Sequence, residues 1–554
     1  MAARLDEHTR SSPPARQAVI LSAGLGSRIA IVARGYPKAT VATGTRPALV
    51  SQIQQLHQAG VRRVVVVHAP GDDRHVLPLL THVFSGAELE FRLALQPRPA
   101  GPLDALACAR EHLTDGDLTL VLGDTLVSDF AALPPDSVGI GQVEAAREFC
   151  LVQADPSSRI VRYDDKPDRE GSSDDAVVGV YRFADGALVR HLLDEAGTQG
   201  CGELSDLLTR YGRRRPLTAT PVRGWQDLGS YERYLAANRA SILGRADHRF
   251  TVVDDGSVIK SGNPALIAAQ VHWYRSLPET AVGLAPQLLE AGEGWHRTEL
   301  LDYPSLAQLL LYEPLPPATW SLLMTRLLGV MEDCLWAPTR RKSPELPLWC
   351  ERVYITKTED RLGSWPYWEQ IRSRTLVING AAMPSFDELW PTVVALLRTV
   401  ASTAEHSSVI HADMTFSNIL LARGFGMFKL LDPGSAFSNR PGGDIRYDLA
   451  KLRQSYAGGY DALRENLFQL DRIGSYRWQL RIFPRPSPIT ATADEAIAAA
   501  GYDVAAVRLL EAVQFVSMVP LHHDNPDRQL ALYIRGLQLL TAVLEGDPHA
   551  SPVA

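Results

Sequence analysis

Two groups of residues in this 554-residue chain have the types and spacing for phosphate chemistry. The first begins where the apolar stretch QAVILSAG runs into Gly24-Leu25-Gly26-Ser27-Arg28. A glycine-rich turn between a strand and a helix exposes backbone N–H groups that can surround a phosphate, and Arg28 would add a planar fork for its oxygens. Lys38, in GYPKATV, puts a second cation on the same side of that strand. Asp124 closes the apolar run LTLVLGD, and Asp227 lies in the turn WQDLG. Open α/β sheets bind ligands outside the carboxyl ends of their strands, which is where Asp124 falls. Each residue also has a plainer reading: the glycines as a tight connection, Asp124 as a cap or turn residue, Lys38 as a surface charge.

The second group lies in VIHADMTFSNILL, which sets His411, Asp413 and Asn418 in the pattern HxDxxxxN after an apolar strand; Asp432-Pro433-Gly434 ends the next apolar run. Phosphoryl transfer to a hydroxyl needs a carboxylate near the nucleophilic O–H and ligands for Mg²⁺. Asp413 suits the first role, and Asn418 and Asp432 suit the second. The Asp-to-Asn spacing is that of a kinase catalytic loop, although kinases carry Asp-Phe-Gly where this chain has Asp-Pro-Gly. Turn and capping roles around a hairpin are the competing reading. His411 reads as a hydrogen-bonding support for the loop rather than a base.

Elements able to hold these residues are visible in the hydrophobic pattern. QAVILSAG, RRVVVVHAP and LTLVLGD are apolar on both faces and alternate with the helical stretches PALVSQIQQLHQAG and LDALACAREHL. That alternation predicts a mostly parallel sheet covered on each side, an α/β half. It continues through RIVRYDDKP, AVVGVYRF and GELSDLLTRY to a helix in SYERYLAANRASILG. From Arg249, RFTVVDDGSVIKSG reads as a hairpin around an Asp-Gly turn, so a domain boundary is expected at residues 243–248. Long helical patterns follow, TWSLLMTRLLGVMEDCLW and SFDELWPTVVALLRTVAS, then the hairpin-like SNILLARGFGMFKLLDPG and more helix, an α+β half. WAPTRRKSPELP reads as an exposed loop, and residues 1–16 and 546–554 as tails.

Composition narrows the class. Hydrophobic residues make up 45% and charged residues 21%, enough to bury a large core. Lys and Arg total 56 against 63 Asp and Glu, a net charge of −7, which does not favour nucleic acid as a partner. The five cysteines show no CxxC spacing, the N-terminus lacks a signal-peptide core, and no run of about 18 apolar residues occurs. A cytoplasmic protein without membrane insertion is expected; homo-oligomerisation stays open.

As an ordered set, SAGLGSR, YPK, LGD, the DDKP containing Lys166, and GWQDLG resemble the motifs of the sugar-phosphate nucleotidyltransferases, which include the phosphocholine cytidylyltransferases. The resemblance spans about residues 17–240 and implies a Rossmann-like domain over 17–243. It further implies that Ala23, Gly24, Gly26 and Ser27 with Arg28 and Lys38 hold the triphosphate of an NTP. Asp124 and Asp227 would hold Mg²⁺, and Lys166 would meet the acceptor phosphate. Residues 249–545 resemble the aminoglycoside phosphotransferase and choline kinase superfamily, especially the kinase-like domains fused to nucleotidyltransferases in capsule and cell-surface polysaccharide loci. GGDIRYDLAKLRQSYAGGYD, with Asp444 and Asp448, adds to the likeness, although an N-capped helix explains it too. This second resemblance implies a bilobal protein-kinase-like α+β domain with its own Mg²⁺ site. Lys260 would meet the α and β phosphates of ATP, and Asp302 would lie in the hinge beside the adenine. One departure stands out: between Asp255 and Glu279 there is no acid to hold Lys260, and Gln270 occupies the expected place.

Together the halves predict a bifunctional enzyme. A kinase makes a phosphomonoester from a small hydroxyl compound, and a nucleotidyltransferase couples it to an NTP with release of pyrophosphate. Two alternatives are a nucleotidyltransferase with an inactive regulatory kinase-like half, and a non-catalytic nucleotide-sensing scaffold. The acceptor and the nucleobase are left open by the motifs, because specificity lies in pocket-lining side chains. Trp273, Tyr274 and Trp320 could form an aromatic cage for a quaternary amine, or simply core.

Overall fold

Runs of β-branched residues that are apolar on both faces can be satisfied only inside a sheet, and the computed structural model puts them there. It describes residues 16–24, 37–143, 146–168, 174–196, 203–242, 248–253, 255–422, 426–437, 442–484 and 489–546. The chain divides into two compact units, the first made of Met1–Thr81 and Glu88–Ile242, the second of His82–Ala87 and Leu243–Ala554.

The first unit is built on a nine-stranded sheet. Its strands are β1 (Arg16–Leu21), β2 (Val61–His68), β3 (Glu90–Leu95), β4 (Leu118–Leu122), β6 (Ser137–Val143), β7 (Cys150–Ala154), β8 (Ile160–Asp165), β9 (Asp174–Phe183) and β10 (Thr218–Pro221). A separate pair, β5 (Thr125–Leu126) and β11 (Gln226–Asp227), lies off it. The main order is β8-β7-β9-β4-β1-β2-β3, with β6 pairing both β9 and β10. Only the β4-β1-β2-β3 stretch is continuously parallel. β9 runs antiparallel to β4, β6 and β7, so the expected mostly parallel sheet is in fact mixed. The apolar runs could not reveal this, since a strand buried on both faces carries no mark of direction.

Helix α1 (Ala48–Gln58) stops at Gly60, whose φ of +92° suits glycine, as PALVSQIQQLHQAG predicts. The next predicted helix is shorter than its pattern: α2 (Pro102–Cys108) gives way to a 3₁₀ turn over Arg110–His112. Helices α3 (Gly186–Ala196) and α4 (Leu204–Arg214) cover the sheet with Val189, Leu192, Leu207, Leu208 and Tyr211, buried in one core with Val19, Val65, Leu120 and Phe183. α5 (Tyr231–Ile242) ends the unit.

The second unit opens with a four-stranded antiparallel sheet. It contains β12 (His248–Val253), β13 (Ser257–Gly262), β14 (Leu288–Gly292) and β15 (Trp295–Glu299), ordered β12-β13-β15-β14. The hairpin read from RFTVVDDGSVIKSG is present, with Gly256 at φ +78°. Helix α6 (Pro264–Arg275) follows, N-capped by Asn263. A largely helical body comes next: α7 (Pro317–Met331), α8 (Lys357–Gly363), α9 (Phe386–Ser402), α10 (Ile445–Tyr456), α11 (Val504–Ser517) and α12 (Pro526–Glu545). Within it the hairpin β16 (Ile419–Ala422) and β17 (Met427–Leu430) carries the HxDxxxxN and Asp-Pro-Gly motifs at one end. The segment expected to be a plain loop after Trp336 is more ordered than that: Arg341–Lys342 pairs with the strand His406–Val409. Trp273 and Trp320 are core, the former donating from Nε1 to the Ile410 carbonyl at 2.8 Å and the latter stacked on Phe416. They hold the loop from behind, so the cage reading fails for them.

Candidate functional site

In the first unit, strand order reverses between β1 and β4: the chain fills β1, β2 and β3 to one side, then returns to place β4 on the other. Crevices at such switch points, beyond the carboxyl ends of the strands, are where open α/β sheets take ligands. β1 delivers Ala23 and Gly24 there, and β4 delivers Gly123 and Asp124. The Ser22 amide donates to the Val67 carbonyl at 2.8 Å, which fixes the start of the glycine loop. Ala23 is buried and Gly24 exposed; Gly26, Ser27 and Arg28 lie outside the described residues. Gly123 is required by packing, because a Cβ on it would stand 2.7 Å from the Leu21 carbonyl oxygen.

Asp124 and Asp227, far apart along the chain, are neighbours in the fold. Asp227 on β11 pairs with Thr125 on β5, and the Leu228 amide donates to the Asp124 carbonyl at 2.8 Å. Gln52, buried on α1, clamps the turn by donating from Nε2 to the carbonyls of Leu122 and Thr125 at 2.8 and 2.7 Å. Lys38 Nζ meets Asp124 Oδ2 at 2.8 Å. Asp227 accepts from the Gly229 amide and from Arg233 Nη1, both at 2.6 Å. Arg233 also bonds Glu148 and lies 4.9 Å over the Phe149 ring, which packs edge-on against Trp225. Lys166 is exposed just past β8, at φ +47°, with its amide held by the Phe149 carbonyl at 3.0 Å. Arg233, Glu148 and Gln52 are absent from the motif reading. Arg233 follows Asp227 by six positions on a helix start, a spacing that only the turn geometry makes meaningful.

In the second unit, β16 and β17 pair Ile419 with Leu430, and the Leu431 amide donates to the Asn418 carbonyl at 2.8 Å. Asn418 and Asp432 therefore leave the same end of one hairpin. Asn418 Nδ2 donates to both the carbonyl and Oδ2 of Asp413 at 2.9 Å, orienting that carboxylate and leaving its own Oδ1 as an acceptor. Asp413 is 41% exposed and meets Lys451 Nζ at 3.3 Å. Lys260, only 3% exposed on β13, reaches Asp432 Oδ1 at 2.9 Å.

The backbone is bent to make this arrangement: Ala412 and Asp432 both sit in the left-handed region, at φ +62° and +53°. Asp448 holds the loop by accepting from the His411 and Ala412 amides at 2.7 Å each. Burial nevertheless pushes its carboxyl up to about 7. His411 is fully buried, its ring edge-on to Trp273, and burial lowers its pKa, in keeping with a structural role. Asp444 caps α10 by accepting from the Arg446 amide at 2.9 Å.

Gln270 does not serve Lys260. Its Nε2 donates to the Pro433 carbonyl at 3.2 Å, and its Oε1 lies 3.2 Å from His296 Nε2. Although Gln270 takes the place of the helix acid, the lysine is held by Asp432, while the amide braces the Asp-Pro-Gly turn. Asp302 is exposed between β15 and the helix Leu306–Tyr312, and among the described residues its carboxylate makes no hydrogen bond or ion pair. Among the described residues no group of three or more His, Cys, Asp or Glu is placed to hold a metal ion. Mg²⁺ is commonly held by one or two carboxylates together with substrate phosphates and water, so the paired acids of the first site and the Asn418–Asp432 pair fit it.

Residues 17–242 match the family model of the nucleotidyl transferases, and the N-terminal half of the chain carries a Rossmann-like nucleotidyltransferase domain with sugar-nucleotidyltransferase relatives. The chain is 25% identical over 256 residues to the low-salt glycan biosynthesis nucleotidyltransferase of Haloferax volcanii, covering 43% of this chain and 70% of the relative. It is 29% identical over 227 residues to a glucose-1-phosphate thymidylyltransferase of Neisseria meningitidis, covering 39% and 78%. A solved UDP-glucose pyrophosphorylase in complex with UDP-glucose is 18% identical, covering 42% of this chain and all of the other, at a TM-score of 0.37. No helix among the described residues is long and apolar enough to cross a membrane.

Proposed function

We propose that the first unit transfers a nucleotidyl group from an NTP to a sugar phosphate or a related phosphomonoester, and that the second makes that phosphomonoester with ATP. The observation that carries the first step is the apposition of Asp124 and Asp227 at the strand-order reversal, through the Asp227–Thr125 pair and the Leu228 amide, with Lys38 on one of them. A phosphomonoester oxygen, anionic at neutral pH, attacks the α phosphorus of the NTP. The bond from that phosphorus to the bridging oxygen breaks, and pyrophosphate leaves. No general base is needed; two repelling anions must be brought together and the leaving charge stabilised. Mg²⁺ on Asp124 and Asp227 would neutralise charge on the phosphates. Lys38 and Arg233, each already tied to one aspartate, keep those carboxylates aimed, and Lys38 with Arg28 would bind phosphate oxygens. Lys166, exposed at the end of β8, is suited to the incoming phosphate.

For the second step, the acceptor hydroxyl gives its proton to Asp413 as its oxygen bonds to the γ phosphorus of ATP and ADP departs. Asn418 orients Asp413, Lys260 would contact the α and β phosphates, and Asp432 with Asn418 would hold Mg²⁺. A second reading, a nucleotidyltransferase with a kinase-like half that binds but does not react, is favoured by Gln270, which leaves Lys260 without a helix carboxylate. Pyrophosphate release from NTPs and a phosphomonoester panel, compared with Asp124→Ala, tests the first activity. ATP consumption with hydroxyl compounds, compared with Asp413→Ala, separates the two readings: turnover that survives Asp413→Ala, or none at all, favours the second.

A further inference from the structure

Three cations interact electrostatically with the candidate base of the second unit, and among the described residues only one has an acid partner. Lys451, buried on α10, pairs with Asp413. Lys357 and Arg361 lie one helical turn apart on α8, and the field of each reaches Asp413. Neither makes an ion pair among the described residues; Arg361 donates from Nη1 to the Ser517 hydroxyl of α11, at 3.4 Å. The buried Asp461 also acts on Asp413, but among the described residues Asp413 is the only carboxylate whose charge reaches Lys357 and Arg361. Asp448 accepts two backbone amides, and Glu359 on α8 turns to Trp390 Nε1 at 2.8 Å.

The cations are held in place rather than left to drift. α8 continues from a π-helical turn, Arg352–Thr356, a geometry frequent at functional sites. Tyr354 in that turn donates to Asp444 at 2.8 Å, tying the α8 segment to the cap of the helix that carries Lys451. Burial, with the Arg361 and Lys451 charges, pulls the Lys357 ammonium down to about 7. Packing three cations about one carboxylate leaves positive charge in excess, which is unfavourable unless a ligand supplies the missing negative charge.

We propose that the phosphoryl acceptor of the second unit is a hydroxyl compound carrying an anionic oxygen group, carboxylate or phosphate, which Lys357 and Arg361 hold while its hydroxyl faces Asp413. The proposal rests on the reading of Asp413 as the phosphoryl-transfer base. The cluster disfavours amino alcohols, whose cationic end would meet Lys357, Arg361 and Lys451.

Matched acceptors test it: glycerol, glycerate and glycerol 3-phosphate, then glucose, glucuronate and glucose 6-phosphate, with ethanolamine and choline as cations, each with MgATP and the full chain. Within at least one series an anionic member should exceed its neutral parent by about 100-fold in kcat/KM, the worth of a charge-assisted hydrogen bond or two. The carboxylate and phosphate members report which anion is taken. Lys357→Met and Arg361→Gln should each cut that preference about tenfold or more while the KM for ATP stays unchanged. A neutral or cationic acceptor used as well as the anionic ones, or a preference unmoved in both variants, overturns the proposal. If no acceptor reacts, calorimetric titration of inorganic phosphate in the presence of MgADP decides. Binding lost in Arg361→Gln keeps the anion site and places the failure in the kinase reading; no binding to the parent chain overturns the site itself.

Discussion

Asp124 is 36% exposed and carries the charge that Lys38 meets, so Asp124→Asn keeps its volume and its backbone bonds while removing its electrostatic role. Pyrophosphate release should fall about 100-fold or more with little change in Tm, since a partly exposed pair contributes little to stability. Gln270→Glu, which restores a kinase-like acid, should lower ATP consumption: a carboxylate cannot donate to the Pro433 carbonyl as the amide does. A rise in kcat/KM for ATP in that variant would show that Lys260 wants the missing charge. Asp461 bears on pH. Its carboxyl is buried and pushed up to about 7, chiefly by burial, with the Glu465 and Asp413 charges adding and the Ser455 and Ser417 hydroxyls opposing. The folded protein therefore binds this proton more tightly than the unfolded chain. Its contribution is fully present below about pH 4 and is lost as pH rises through about 7. Asp461→Asn should flatten the fall in Tm between about pH 5 and about pH 8, measured by calorimetry against the parent chain.

At the level of elements, each site depends on a glycine that lets two backbones touch. Gly123 places β4 against the end of β1, and Gly434 places the Asp-Pro-Gly turn against the loop at Ala412, where a Cβ would lie 2.7 Å from the Ala412 carbonyl. Gly123→Ala and Gly434→Ala should each destabilise by about 1–3 kcal/mol in urea titrations, the usual cost of overpacking. Gly123→Ala should impair only pyrophosphate release, and Gly434→Ala only ATP consumption. Much of this scaffolding was legible in the sequence. QAVILSAG and LTLVLGD read as strands, and SNILLARGFGMFKLLDPG read as a hairpin, because period and turn chemistry are local signals. Strand direction was not legible, since β9 returns antiparallel through pairings that its own residues do not announce. Nor was the break after α2, where a 3₁₀ turn takes over from a pattern that would have continued.

For the molecule as a whole, the two proposed steps on one metabolite would imply an order that variants can expose. With ATP, an NTP and a hydroxyl acceptor, Asp413→Ala should abolish the nucleotide-linked product but leave it intact when the phosphomonoester is supplied ready-made. Asp124→Ala should let the phosphomonoester accumulate. Mass spectrometry of the reaction mixtures reads both outcomes, and product from the bare acceptor in Asp413→Ala would refute the order. By itself the sequence determined which residue types are present and their spacing along each motif: the glycine turn, the acids after apolar runs, the HxDxxxxN loop. These are short-range matters, decided by backbone propensity and by the offset between neighbours. Tertiary structure alone decided the partnerships. Arg233 with Asp227, Gln52 under the Asp124 turn, Gln270 on Pro433 rather than Lys260, and Lys451 on Asp413 all join distant segments or depend on how a chain is bent. Charges act through space, so a side chain's partner is set by packing, which no local pattern records.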